Sequence, residues 1–208
     1  MTGAQTRRIL SVYRSADAEQ LASGLGWYSL ARDEACDIAR DTGISERQAS
    51  GIIAALSPQV SWGFNLQWAR EVAAGSVINR GFTLSMGRAM MIYRNPDTDP
   101  LDILGGDKVR AFYACIISQG ETSEVCIDRH ACDIATGIRG SFNSLTHKRY
   151  RETAQAYRDG AARLQRTGEA TLTGAQLQAI TWVTWRARYW ARGAFDPRMA
   201  DRMPALPF

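Results

Sequence analysis

Apolar residues recur every three or four positions in segment after segment of this chain, and sustained two-residue alternation is scarcely present, so the fold class read from it is all-α. Residues 6–23 and 28–41 carry the helical spacing, with Gly24 and Gly26 marking a break between them. Ser45 and Gln48 form a capping-box pattern ahead of RQASGIIAALS, an apolar segment expected in the core. Pro58 disfavours helical geometry at the residue before it, so that helix should stop at Ser57. Further helices are expected over 62–75 and 83–94, and Asp99 before Pro100 opens a short one. The run VRAFYACII at 109–117 is too continuously apolar for an exposed helix. After a loop from Gly137, helices are expected over 146–166 and, from a second capping box of Thr173 and Gln176, to about Arg192. The terminal FDPRMADRMPALPF has three prolines and no period, and is expected to be extended.

With 208 residues and 45% hydrophobic content, the chain can bury one sizeable core, or one core built from two helical lobes. Cys36, Cys115, Cys126 and Cys132 show no C-x-x-C pairing and sit mostly among apolar neighbours, which reads as reduced core thiols. A zinc site is not expected, since only His130 and His147 stand beside those thiols as ligands. No apolar run approaches the length of a membrane span, and the N-terminal segment is amphipathic and charged. The expectation is a monomer in the cytoplasm of a bacterium or a phage-infected host, with no membrane partner.

Charge is unevenly spread. Residues 1–138 hold thirteen Lys/Arg and sixteen Asp/Glu, a net of −3, whereas residues 139–208 hold twelve and five, a net of +7. A basic C-terminal third suits a polyanion, because neutralising phosphates releases counterions. Lys148, Arg149, Arg151 and Arg158 make the 146–166 helix either the flank of a DNA channel or an exposed face. In the last helix Trp182, Trp185, Tyr189 and Trp190 interleave with Arg186, Arg188 and Arg192, a mixture that stacks bases and holds phosphates or, more simply, packs.

Two residues carry candidate chemistry. Lys108 is one of two lysines in a chain that otherwise uses arginine, and it begins an apolar helix. A lysine amine can lose its proton when desolvated and attack a carbon, which arginine cannot; the plain alternative is a solvated first-turn residue. Twenty residues on, in VCIDRHACDIATG, Asp128 is placed to cap a helix through its free N–H groups. The same carboxylate, facing a cleft, would stabilise the positive charge that develops as a glycosidic bond breaks.

The order and spacing of these segments resemble the helix-hairpin-helix DNA glycosylases, the superfamily of endonuclease III and 8-oxoguanine DNA glycosylase. Gly105, Gly106, Asp107 and Lys108 resemble the glycine-rich hairpin and its catalytic lysine; Val125, Ile127, Asp128 and His130 resemble the V-x-V-D-x-H motif. Upstream, IIAALSPQVSWGFN resembles the L-L-S-x-Q segment, in which Gln59 would fill the gap left by an extruded base. The hairpin departs from the usual L-P-G-V-G-x-K by being two residues shorter and lacking the proline. No cysteine cluster like that of the iron–sulfur members is present near the C-terminus, so no cluster is expected.

The resemblance implies a two-lobed helical fold, one lobe over about 42–137 and the other from the N-terminal helices and about 138–208, with Lys108 and Asp128 in a central cleft. It implies a DNA glycosylase, with or without an abasic-site lyase step, acting on double-stranded DNA with a flipped base and needing no metal or organic cofactor. Lys108 and Asp128 would be catalytic, with His130 supporting by orienting the helix start or by packing. Gln59, Gly105, Gly106, Asp107, Arg110 and Arg129 would contact DNA, and Ser57, Trp62 and Asn65 are candidates for the base pocket. Two alternatives keep the fold: a phage enzyme of DNA base hypermodification, and a non-catalytic DNA-binding module in which Lys108 contacts phosphate.

Overall fold

The computed structural model describes residues 2–76, 83–140 and 145–190, so the expected extended tail and Arg192 lie outside the described residues. Among the described residues the chain forms ten helices and no strand: α1 (Thr2–Tyr13), α2 (Ala18–Thr42), α3 (Glu46–Leu56), α4 (Trp62–Ala73), α5 (Thr83–Arg94), α6 (Pro100–Ile103), α7 (Asp107–Ile117), α8 (Arg129–Thr136), α9 (His147–Arg166) and α10 (Gly174–Trp190). The fold is all-α, and no described helix is long and apolar enough to cross a membrane. All four cysteines are free, and Cys115, Cys126 and Cys132 are buried.

The chain divides into two compact units. The first is drawn from Met1–Ser29 and Ser118–Ala194, the second is built around Leu30–Ile117, and α2 runs from one into the other.

In the second unit α3 is the centre, packed by α4, α5, α6 and α7. Its start is the expected capping box: Ser45 Oγ accepts from Gln48 N–H at 3.2 Å while the Gln48 side chain accepts from Ser45 N–H at 3.1 Å. Every residue from Gln48 to Leu56 is buried, and Ile52, Ile53 and Leu56 each contribute roughly 1.5–3 kcal/mol by leaving water. The buried Gln48 amide also donates to Ile92 O at 3.2 Å and Tyr93 O at 3.1 Å, satisfying carbonyls at the end of α5.

In the first unit α1, α8, α9 and α10 pack on one another. Residues 125–127 lead into α8 outside any helix or strand, and the Tyr150 hydroxyl of α9 bonds their backbone. It donates to Val125 O at 2.7 Å and accepts from Ile127 N–H at 3.3 Å, so this buried backbone is satisfied by a side chain. The second expected capping box also forms, with Thr173 Oγ1 accepting from Gln176 N–H at 3.1 Å and Gln176 accepting from Thr173 N–H at 2.9 Å.

The break expected at Gly24 and Gly26 is absent, because α2 continues through both. The chain turns earlier, at residues 14–17, where Asp17 Oδ1 accepts from Gln20 N–H at 2.8 Å. Gly24 serves packing instead. A Cβ there would lie 2.8 Å from the Ile180 backbone nitrogen, so two helices approach more closely than any larger residue permits.

Candidate functional site

Lys108 belongs to the second unit and Asp128 to the first, and each has its own surroundings.

Lys108 sits in the first turn of α7, directly after a glycine turn. α6 starts with Asp99 as its cap, accepting from Leu101 N–H at 2.9 Å, and ends at Leu104. Gly106 then takes φ +81°, a left-handed conformation in which a side chain at this position would be strained. From there the Lys108 ammonium donates to Ser57 Oγ at 3.2 Å and lies 5.9 Å from the Phe112 ring centre, one turn further along α7. Trp62 meets Phe112 edge to face at 6.5 Å. Ser57 and Lys108, separated by 51 residues, are thereby brought together against an aromatic wall. The tertiary packing does this because Ser57 is the C-terminal cap of α3 and α7 packs on α3.

The other residues expected around the hairpin have varied roles. Arg110 donates from Nη1 to Leu104 O at 3.1 Å and also to Leu101 O, so its fork partly closes the end of α6. Arg88 of α5 is a basic group at this turn that sequence reasoning missed: its guanidinium carbon would be 2.7 Å from a Cβ on Gly105. No local pattern could have found it, since only the packing of α5 brings it there. Asp107 is half-buried in the first turn of α7. Gln59 is exposed and has φ +58°, one of two described non-glycine residues in the left-handed region. A conformation disfavoured for such a residue by about 1–2 kcal/mol holds this side chain outward at the tip of the turn after α3. Asn65, expected to line a base pocket, is instead 2% exposed, and its Nδ2 donates to Ile53 O at 3.1 Å. It satisfies an end carbonyl of α3, so its amide is structural.

Asp128 is the N-cap of α8. Its Oδ1 accepts from Ala131 N–H at 2.8 Å, and its Oδ2 accepts from the Trp182 indole N–H at 3.1 Å. The capping reading and the notion of an oriented carboxylate are thus compatible, because the two oxygens are used separately. Trp182 contacts both Trp27, at 5.1 Å between ring centres, and the Arg186 guanidinium, 4.5 Å from the indole. His130 stands edge-on to the same indole at 6.4 Å.

The electrostatics of this cluster follow from partial burial. Burial pulls the His130 imidazolium below its ordinary value, the Asp128 charge opposing this while Arg186 and Arg129 add to it. Burial likewise lowers the Arg186 guanidinium, again against Asp128. The Cys132 thiol is pushed up to about 12, first by burial and then by the Asp128 charge, which leaves it a poor nucleophile. Arg129 is exposed at the first position of α8. Asp128 is therefore a carboxylate fixed at a helix start, with a stacked cation behind the indole that holds it. Trp27 was not singled out from the sequence, and Trp182 and Arg186 were read there only as part of a mixed helix.

A family of unknown function, DUF7178, matches residues 1–189. The chain belongs to that family. No curated protein and no solved structure matches it. This DUF7178 chain holds a lysine amine on a serine hydroxyl in one unit and a tryptophan-held aspartate in the other.

Proposed function

We propose that this DUF7178 chain is a DNA glycosylase that everts a base and cleaves its N-glycosidic bond, with Lys108 as nucleophile and Asp128 as the stabilising carboxylate. The observation that supports this best is the local context of the two groups: an amine in the first helical turn after a glycine turn, and, twenty residues later, a carboxylate capping the next helix. The order G-G-D-K then V-C-I-D-R-H is that of the helix-hairpin-helix glycosylases it resembles.

In this reading the Lys108 amine, deprotonated, forms a bond to C1′ of the deoxyribose as the C1′–N bond to the base breaks, and the base leaves with a proton. Ring opening then gives an imine between Lys108 and C1′, which water hydrolyses. Asp128 stabilises the positive charge that builds on the sugar as the base departs. Trp182 holds that carboxylate in place through its indole N–H. Gln59, turned outward by its left-handed backbone, occupies the gap left in the duplex.

The test is incubation with duplexes carrying abasic or modified residues in the presence of borohydride, which reduces the imine to a stable amine. A covalent protein–DNA adduct that disappears in Lys108→Ala is the expected result. Base release without an adduct would remove Lys108 from the nucleophilic role and leave Asp128. DNA binding with neither outcome would overturn the glycosylase reading, and mass spectrometry of the digested nucleosides would then separate base modification from binding alone.

A further inference from the structure

A groove runs along the first unit between α1 and α9, remote in sequence from both Lys108 and Asp128. It consists of two adjoining depressions of about 400 Å³ and about 340 Å³, which share Arg7 and Arg163 as walls. Arg14 and Ser15 stand at the end of the first depression, and Arg166 lines the second. Arg188 of α10 reaches the same end by donating to Ser15 Oγ at 3.0 Å.

Five arginines thus border this strip against two carboxylates, Asp159 and Glu169. Glu169 is already taken, accepting from Arg14 Nε at 2.9 Å and Nη2 at 2.8 Å. Hydrogen bonds from Arg14 and then Thr167, with the Arg163 charge adding, hold its carboxyl down to about 2. Asp159 accepts from Gln155 Nε2 at 2.8 Å. Among the described residues, Arg7, Arg163 and Arg166 form no ion pair. Three exposed guanidinium forks therefore stand along one groove outside any ion pair.

We propose that the α1/α9 groove binds the phosphodiester backbone of duplex DNA, independently of its sequence. Arginine forks match phosphate oxygens bidentately, whereas a solvated acidic peptide offers no such regular array. The strip also has the right extent. Arg7 on α1 and Arg14, the residue just beyond its end, are seven residues apart, a rise of about 10 Å, against about 3.4 Å per phosphate of one strand measured along the duplex axis. About three successive phosphates of one strand fit that length. Two open depressions joined by shared arginines suit a continuous polyanion better than one isolated phosphate. The inference shares with the proposed function only that the ligand is DNA, and it makes no use of the chemistry at Lys108 or Asp128.

The experiment is the salt dependence of binding to an undamaged 20-base-pair duplex, an arbitrary probe length, followed by fluorescence anisotropy on the full chain. Arg7→Gln with Arg163→Gln should lower the slope of log K against log salt by about two units, at about one per phosphate contact, and weaken binding about tenfold. Arg94→Gln, an exposed arginine on α5, serves as the control and should change neither. Should the double variant melt earlier than the parent, Arg166→Gln alone reads the slope from the second depression, with about one unit expected. An unchanged slope overturns the proposal, as does equal weakening by the control. Tight binding of poly-glutamate that is lost in the double variant would assign the groove to an acidic protein partner instead. A trapped adduct with an unchanged slope would sink only this inference, and a changed slope without base release or adduct would sink only the glycosylase reading.

Discussion

The Trp182 indole N–H donates to Asp128 Oδ2 at 3.1 Å across 54 residues of sequence, while the other carboxylate oxygen caps α8. One side chain therefore joins α10 to the start of α8, and the carboxylate cannot turn without losing one of two hydrogen bonds. Replacing Trp182 by Phe keeps an aromatic ring beside Trp27 and Arg186 but removes the donor. A hydrogen bond to a charged group contributes about 1.5–3 kcal/mol, less where water reaches it, so Trp182→Phe should destabilise by about 1 kcal/mol in urea unfolding. Under the glycosylase reading, base release by this variant should fall further than stability accounts for.

Asp128→Asn and Asp128→Ala should separate the two uses of the carboxylate. Asparagine is also a good N-cap, so it should leave unfolding within about 0.5 kcal/mol of the parent, whereas alanine should lower it by about 1–2 kcal/mol. Both should lose base release. Equal stability of the two variants would show that the cap contributes nothing.

Gly24→Val should be among the most damaging single changes, because its Cβ would meet the Ile180 backbone and neither helix can yield without repacking α10. A loss of about 3 kcal/mol or failure to fold is expected, read by circular dichroism and thermal melting. Gly26→Ala, two residues on in the same helix with no atom within 4 Å of the new Cβ, should be neutral or slightly stabilising.

Stability should fall on the acid side of neutrality through His130. Burial lowers its folded value below the ordinary 6.5, so between the two values the unfolded chain binds a proton that the folded chain does not. The contribution is complete above about 6.5 and is lost as pH drops through the folded value. Urea midpoints measured from pH 8 down to 5 should decline, and His130→Gln should flatten that part of the curve.

Thiol titration should find one reactive cysteine in the native chain. Cys36 is half-buried, while Cys115, Cys126 and Cys132 are buried, Cys132 with its thiol at about 12. Slow reaction of Cys36 is expected, because burial raises its value too, and the other three should react only with unfolding.

Apolar spacing, the Ser45 and Thr173 capping boxes and the stop at Pro58 are local features. They determined the helical class and most helix limits, since each depends on backbone groups within about four residues of the signal. Asp128 as a cap was legible for the same reason. The continuity of α2 through Gly24 was not, because that glycine answers to Ile180, 156 positions away. The partners of the proposed catalytic groups also belong to this second kind. Ser57 on Lys108, Trp182 on Asp128, Arg88 over Gly105 and the inward turn of Asn65 arise from which helix faces pack together. Periodicity tells that a face is buried and leaves open what it is buried against. The sequence alone thus determined helices, caps and the order of an amine and a carboxylate, and tertiary packing alone decided what each of those groups touches.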